Sequence, residues 1–215
     1  MSSRARSAEW FEFYNGAFCN AVHQLLVWGY QDARPNIGPS HDEDDITGQI
    51  VECIKDRLDD PDTPQEFTLF YAVNDQDPVR KSGKRGKTRP VLDIITVCSM
   101  RLPRPEFMFE AKRLKVKGFP IGLYLGPQGI QCFIKGKYAA EYSAAGMIAY
   151  VQSHDSTRWI SQLSRSLAKK ANTLRVTKNL IRIRIHPSLK DELVSGHRRW
   201  GNTEISIFHI FLDCT

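Results

Sequence analysis

The sequence predicts an α/β domain in which a mixed central sheet is flanked by helices and preceded by an N-terminal helical elaboration. Three observations predict it. Apolar residues recur at helical spacing in two N-terminal stretches, from Trp10 to Leu26 and from Ile46 to Leu58. Three runs rich in β-branched and aromatic residues follow, "EFTLFYAVN", "PVLDIITVCS" and "EFMFEAKRL". Helical patterns and then alternating strand patterns close the chain, so helices have sheet faces to cover.

The elements follow in order. The first helix is expected after Ser7 as N-cap, with Trp10, Phe13, Phe18, Val22, Leu25 and Leu26 on one side and a bend near Gly16. "ARPNIGPS" breaks it into a loop, and Ser40 is placed to cap the next helix. That helix carries Ile46, Ile50, Ile54 and Leu58 four apart and stops before "DDPDTP". "EFTLFYAVN" reads as a strand and the Gly/Lys/Arg segment after it as a hairpin loop. "PVLDIITVCS" and "EFMFEAKRL" are strands separated by "MRLPRP", whose prolines exclude a helix. "GIQCFI" reads as a fourth strand or as a turn packed on the sheet. Ala139 to Ala171 reads as helical, first "EYSAAGMIAYVQS" and then "TRWISQLSRSLAKKA", and "LIRIRIHPSL" and "EISIFHIFLDC" close the chain as strands. The division expected is a helical segment over 1–39 and a domain over 40–215, together one compact unit.

The 215 residues, 41% of them hydrophobic, suffice for one principal core. The opening "MSSRARSAEWFEF" has no apolar leader, and no run approaches the ~18 apolar residues of a membrane span. A soluble, cytoplasmic protein without a membrane partner is expected. Five cysteines stand singly in apolar contexts with no C-x-x-C pair, which points to reduced core residues and away from a zinc cage or disulfide framework. The six histidines show no metal or catalytic spacing, and "GKTR" lacks the glycine spacing of a phosphate-binding loop, which excludes an NTPase.

Charge is segregated. Nine acidic residues lie between Asp42 and Asp62 against Lys55 and Arg57, whereas "VRKSGKRGKTR" holds Arg80, Lys81, Lys84, Arg85, Lys87 and Arg89 and no acid. An acidic site and a polyanion partner are the expectation, with the six cations as nucleic-acid contacts. "HRRW" near the C-terminus is read as a surface cluster, and Gln128 as a weak site candidate.

Asp93 stands inside one apolar run, and Glu110-Ala111-Lys112 ends another. An unpaired buried carboxylate costs several kcal/mol, so such charges are paired, metal-bound or at the mouth of a cleft. If the two strands are neighbours, Asp93 and Glu110 approach each other, and Glu110 and Lys112, two apart, share one face. Two carboxylates with phosphate oxygens suffice for Mg²⁺, with Mn²⁺ as a substitute, and a lysine beside them can orient an attacking water.

Asp93, sixteen intervening residues and Glu110-Ala111-Lys112 resemble the PD-(D/E)xK nuclease superfamily, the restriction-endonuclease-like fold. Leu92 stands where the motif's name has proline. The resemblance covers Ser40 to Ala171, and it implies an acidic residue on the helix before the sheet. "HDEDDITGQI" supplies Glu43, which lies three before Ile46 and seven before Ile50, with Asp44 and Asp45 as alternatives. The function implied is a Mg²⁺-dependent nuclease acting on DNA, with RNA as an alternative substrate, serving as the effector of an antiviral defence or restriction system. Asp93 and Glu110 would bind the metal, Glu43 would add a ligand or a water contact, and Lys112 would position the nucleophile. The rival expectation is a catalytically silent nucleic-acid-binding or scaffolding subunit, held by a protein partner or as a homo-oligomer.

Overall fold

The computed structural model describes residues 16–78 and 91–215. Trp10, Phe11, Phe13 and all six cations of "VRKSGKRGKTR" lie outside the described residues.

Helix α1 (Ala17–Ala33) and helix α2 (Glu43–Asp59) open the described chain, followed by the short helix α3 (Gln65–Phe70). Strands β1 (Tyr71–Pro78), β2 (Val91–Cys98) and β3 (Glu106–Leu114) form an antiparallel meander. Two short helices, α4 (Ile121–Tyr124) and α5 (Ile130–Ile134), cross to β4 (Ala144–Val151), which runs parallel to β3. Helix α6 (Ser156–Lys169) leads into β5 (Val176–Ile183), β6 (Glu192–Arg198) and β7 (Glu204–Asp213). The seven strands form one mixed sheet in the order β1-β2-β3-β4-β7-β6-β5, with β3, β4 and β7 parallel at its centre.

Strand alternation sorts side chains to two cores. Ile94, Phe107, Phe109 and Ala111 join Ile46, Ile50 and Ile54 of α2 and Phe18, Val22 and Leu25 of α1 on one face. Ile95, Met108 and Met147 join Tyr124, Phe133, Trp159 and Leu163 on the other. Helices α1 and α2 cross closely at Gly29, where a Cβ would come within 2.4 Å of an Ile54 side-chain carbon. Because α1 shares this core with α2 and the sheet, it packs as part of the same body as the strands.

Several elements differ from expectation. The helix at Glu43 is capped by Asp42, whose side chain accepts from Asp45 N at 2.9 Å; Ser40 is not the cap. The strand expected over "EFTLFYAVN" is split, because Pro64 starts a helical turn and Phe67 turns aside to meet Trp28 and Tyr71. "GIQCFI" is the short helix α5, neither strand nor turn. "EYSAAGMIAYVQS" is not helical: its centre is β4, buried at every position from Ala144 to Val151. A strand parallel to both neighbours and covered on both faces is continuously apolar, so it loses the alternation that marks a strand, and its alanines mimic a helix former. Strand β6 lies in a stretch with no strand signal in its pattern. In "HRRW", Trp200 is exposed, but His197 and Arg199 are buried, and Arg199 donates to the carbonyls of Ala139 and Tyr142.

The five cysteines are free and four of them buried, in accord with the sequence. Among the described residues no helix is long and apolar enough to cross a membrane.

Candidate active site

The site arises where β3 changes neighbours. The β2–β3 ladder runs from Val97 opposite Glu106 to Ile94 opposite Phe109, and the β3–β4 ladder begins at Phe109 opposite Gly146. A Cβ at Gly146 would meet the Phe109 ring at 2.1 Å, so the glycine is what lets that ring lie across β4. One position further on, the same register sets Asp93 across from Glu110. Here a side chain replaces the ladder, and Asp93 Oδ2 accepts from Ala111 N at 2.6 Å.

Lys112 lies at the centre. Its Nζ is 2.9 Å from Glu110 Oε1, 2.6 Å from Glu43 Oε1 and 3.9 Å from Asp93 Oδ2, and it also donates to Ala111 O. Its side chain is only 14% exposed. The other oxygen of Glu43 accepts from Arg113 N at 3.1 Å, so both carboxylate oxygens of Glu43 are engaged by β3. All four site residues expected from the sequence therefore meet. Of the three acids that start α2, it is Glu43 that reaches the lysine, while Asp44 and Asp45 are exposed.

Residues with no sequence signal hold Glu43 in place. Thr47, one turn on, donates to Glu43 O and bonds the Tyr150 hydroxyl of β4 at 2.9 Å. Gln152 accepts from Arg113 Nε at 2.8 Å and donates to the carbonyls of Gly38 and His41, clamping the loop before α2 to the end of β3. Tyr138 donates to Val91 O at 2.8 Å and fixes the start of β2. Gln128, the weak candidate, is exposed.

Three carboxylates around one ammonium leave negative charge in excess. Burial, offset in part by Lys112 and the Ala111 amide, pushes the Asp93 carboxyl up to about 6. Burial and then the charge of Asp93 push Glu110 up to about 8. For Lys112, burial works against the charged form, but Glu110, Asp93 and Glu43 outweigh it and hold the ammonium above its ordinary range. Glu110 Oε2 is buried and has no hydrogen-bond partner among the described residues. A buried carboxylate oxygen without a donor is costly and marks a place for a cation or a polar ligand.

Among the described residues no three His, Cys, Asp or Glu side chains are gathered as a ready metal cage. The donor set left beside Lys112 is two carboxylates, Asp93 and the orphaned oxygen of Glu110. Such a set fits a hard cation that keeps waters and takes its remaining oxygens from a phosphate, as Mg²⁺ does. Glu43 is bound to β3 through both oxygens, Oε1 by Lys112 Nζ and Oε2 by Arg113 N, and so holds Lys112 in place.

Compared with protein-family models, curated proteins and solved structures, the chain matches none.

Proposed function

We propose that the chain is a metal-dependent nuclease that hydrolyses phosphodiester bonds, with DNA as substrate, and that its fold is of the restriction-endonuclease-like type. The observation that supports this most directly is the orphaned Glu110 Oε2 beside Asp93, with Lys112 held 2.9 Å from the same carboxylate. The order of elements also supports it: an acidic-capped helix, a three-stranded meander bearing Asp93 and Glu110, and a fourth strand parallel to the third.

Asp93 and Glu110 would hold Mg²⁺ or Mn²⁺, which when bound supplies charge for the phosphate and lowers the pKa of a bound water. The rest falls to the chain's own groups. Lys112, fixed by Glu43 and the Ala111 carbonyl, has its one remaining Nζ–H at Glu110, 2.9 Å away, from where it can turn to orient an attacking water or meet charge developing on a phosphate oxygen. Asp93 is held by the Ala111 amide, which donates to its Oδ2, the same oxygen that lies 3.9 Å from Lys112 Nζ.

A second reading, a catalytically silent nucleic-acid-binding subunit, is favoured by one feature: Lys112 already neutralises part of the carboxylate cluster, as a structural ion pair would. The deciding experiment is a cleavage assay on single- and double-stranded DNA and RNA with Mg²⁺, with Mn²⁺ and with EDTA. Cleavage that needs metal and is lost in Glu110→Gln carries the nuclease reading. Binding without cleavage in any metal carries the silent one.

A further inference from the structure

The turn between β6 and β7 leaves a tryptophan in solvent. Trp200 is 63% exposed, although aromatic rings carry the largest gains from burial. The turn that carries it is tightly bonded. Arg199 N donates to Thr203 O at 2.8 Å and Asn202 N to Arg199 O at 3.0 Å. The Arg199 side chain is buried and its guanidinium donates to the Thr203 hydroxyl and to the carbonyls of Glu204, Ala139 and Tyr142. Trp200 N itself donates to Ile134 O at 3.2 Å, at the end of α5. A ring held out by so fixed a backbone is pre-organised to meet something flat.

Cations surround the ring and lead from it to the site. Lys135, the C-cap of α5, holds its ammonium 5.5 Å from the centre of the Trp200 ring, and Lys137 is exposed two residues on. Arg198 is also exposed, and Glu204, 4.0 Å from it, offsets part of its charge. Tyr138 follows Lys137 and donates to Val91 O at 2.8 Å, at the start of β2 and two residues before Asp93. Burial, and after it the charges of Glu110, Cys132 and Asp93, hold the Tyr138 phenol above its ordinary value, so the carboxylates of the site act on it. Ile134, which holds Trp200, and Tyr138, which holds β2, are joined by at most about 15 Å of chain. The basic run "VRKSGKRGKTR" ends at Arg89, two residues before Val91, so its charge is continuous in sequence with this path.

Resting on the nuclease reading, we propose that Trp200 is a stacking platform for one unpaired base of the substrate strand, with Lys135 and Lys137 on the phosphates that lead from it toward Lys112. A base inside a duplex has both faces covered by its neighbours, so the indole takes an unpaired one. Every base has a π-face, so the platform is indifferent to sequence, while each phosphate contact adds salt dependence. A protein partner would also cover the indole, but the cations beside it favour a polyanion. The substrate class that follows is nucleic acid with a single-stranded stretch beside the cleaved bond, in place of uninterrupted duplex.

The test uses the full chain with end-labelled oligo-dT and oligo-rU and a blunt duplex of equal length, titrated by anisotropy in EDTA so that binding is read apart from cleavage. Trp200→Ala should weaken binding to the single strands about tenfold, with little change in salt slope, and alter duplex binding less than about twofold. Trp200→Phe, which keeps a flat ring, should retain most of the affinity, whereas Trp200→Leu, apolar but not flat, should behave as the alanine variant does. That contrast reads the ring apart from any change in stability. Lys135→Ala with Lys137→Ala should instead lower the single-strand salt slope by up to about 1.4, at about 0.7 per phosphate. Single-strand affinity within about twofold of wild type in Trp200→Ala, equal losses on duplex and single strand, or a wild type that binds no strand overturns the inference. The nuclease reading is judged separately, by cleavage in Mn²⁺: stacking without cleavage leaves the platform and removes the nuclease, and cleavage with an inert Trp200 does the reverse.

Discussion

The molecule buries two polar clusters, and they are built in opposite ways. The first is the site at Lys112, where charge is concentrated and Glu110 Oε2 has no donor. The second lies between strands β6 and β7 and the short helix α4, on the face that holds Tyr124. His197 Nδ1 donates to Leu174 O at 2.7 Å, so its Nε2 accepts from Ser195 Oγ, also at 2.7 Å. Ser195 Oγ then accepts from His209 Nε2 at 2.8 Å, and His209 Nδ1 accepts from the Tyr124 hydroxyl at 2.9 Å. The Tyr124 hydroxyl also lies 3.3 Å from Met147 O, and no member of the chain needs a charge. Burial lowers His209 to about 3 and His197 below its ordinary value, which keeps both neutral. A network satisfied by its own members specifies a fold, whereas a cluster left with excess charge and an empty valence calls for something from outside.

The largest expected effect separates the two by activity. Asp93→Asn and Glu110→Gln should each lower cleavage by roughly 10²–10⁴-fold while leaving the fold intact, because they remove charge without opening a cavity. In the metal-free protein Asp93→Asn should be slightly more stable than wild type, since like charges are relieved, and both variants should lose the rise in melting temperature expected from Mg²⁺. Near-wild-type cleavage in either variant breaks the assignment, and an unchanged melting response to Mg²⁺ places the ion elsewhere.

Ser195→Ala should do the reverse. It leaves His209 Nε2–H and His197 Nε2 facing each other unpaired, at about 1–3 kcal/mol of stability for each orphaned group. Measured well below the melting temperature, cleavage should stay within a few-fold of wild type. Urea unfolding and a cleavage time course on the same preparation check both halves, and a large loss of activity with full stability would link the network to the chemistry.

The clusters should also titrate against each other. His209 is neutral in the fold down to about pH 3 but takes a proton near 6.5 when unfolded. The unfolded chain therefore binds more protons below 6.5, and stability falls as pH drops from 6.5 toward 3, by at most about 1.4 kcal/mol per unit for each such histidine. His23, lowered by burial to about 4, adds to the same limb. Glu110 works the other way: its folded value of about 8 lies above the ordinary 4.5, so the fold holds the extra proton. Its contribution is present below 4.5 and is lost as pH rises through 8. In EDTA, Glu110→Gln should flatten the alkaline limb and His209→Gln the acid limb. A variant that alters the limb assigned to the other would show that the clusters are coupled.

The site was far more legible than the frame that carries it. Asp93, Glu110 and Lys112 could be read because each breaks a local pattern: a charge inside an apolar strand is visible without knowing what it faces. Strands β2 and β3 were legible for the same reason, being bounded by prolines and rich in β-branched residues. Glu43 could be preferred over Asp44 and Asp45 from its spacing to Ile46 and Ile50, but what anchors its turn, Thr47 meeting Tyr150 more than a hundred residues away, could not be read. Strand β4 was hidden by its own burial, and β6 by "ELVSGHR", where a serine and a histidine turn inward to the polar network in place of an apolar stripe. The histidines gave no signal because a neutral chain of donors and acceptors has no sequence spacing; it forms across β6, β7 and α4 only once these are packed.

The smallest effect on chemistry is expected from the basic segment between β1 and β2. Each Lys or Arg that neutralises a phosphate releases condensed counterions, so binding to duplex DNA weakens with salt at a slope of about −0.9 per contact. Replacing Lys84, Arg85 and Lys87 by alanine should flatten that slope by up to about 2.7 and weaken binding to all sequences alike. Single-turnover cleavage at saturating DNA should change little if the segment serves only to hold the strand and Lys112 with its carboxylates serves to break it. Binding titrations at several salt concentrations, followed by a saturating time course, read the two separately. An unchanged slope removes the segment from the nucleic acid. A slope that flattens together with a fall in saturated cleavage would mean that the segment also shapes the site, which it could do through β2, since the strand that bears Asp93 begins where the segment ends.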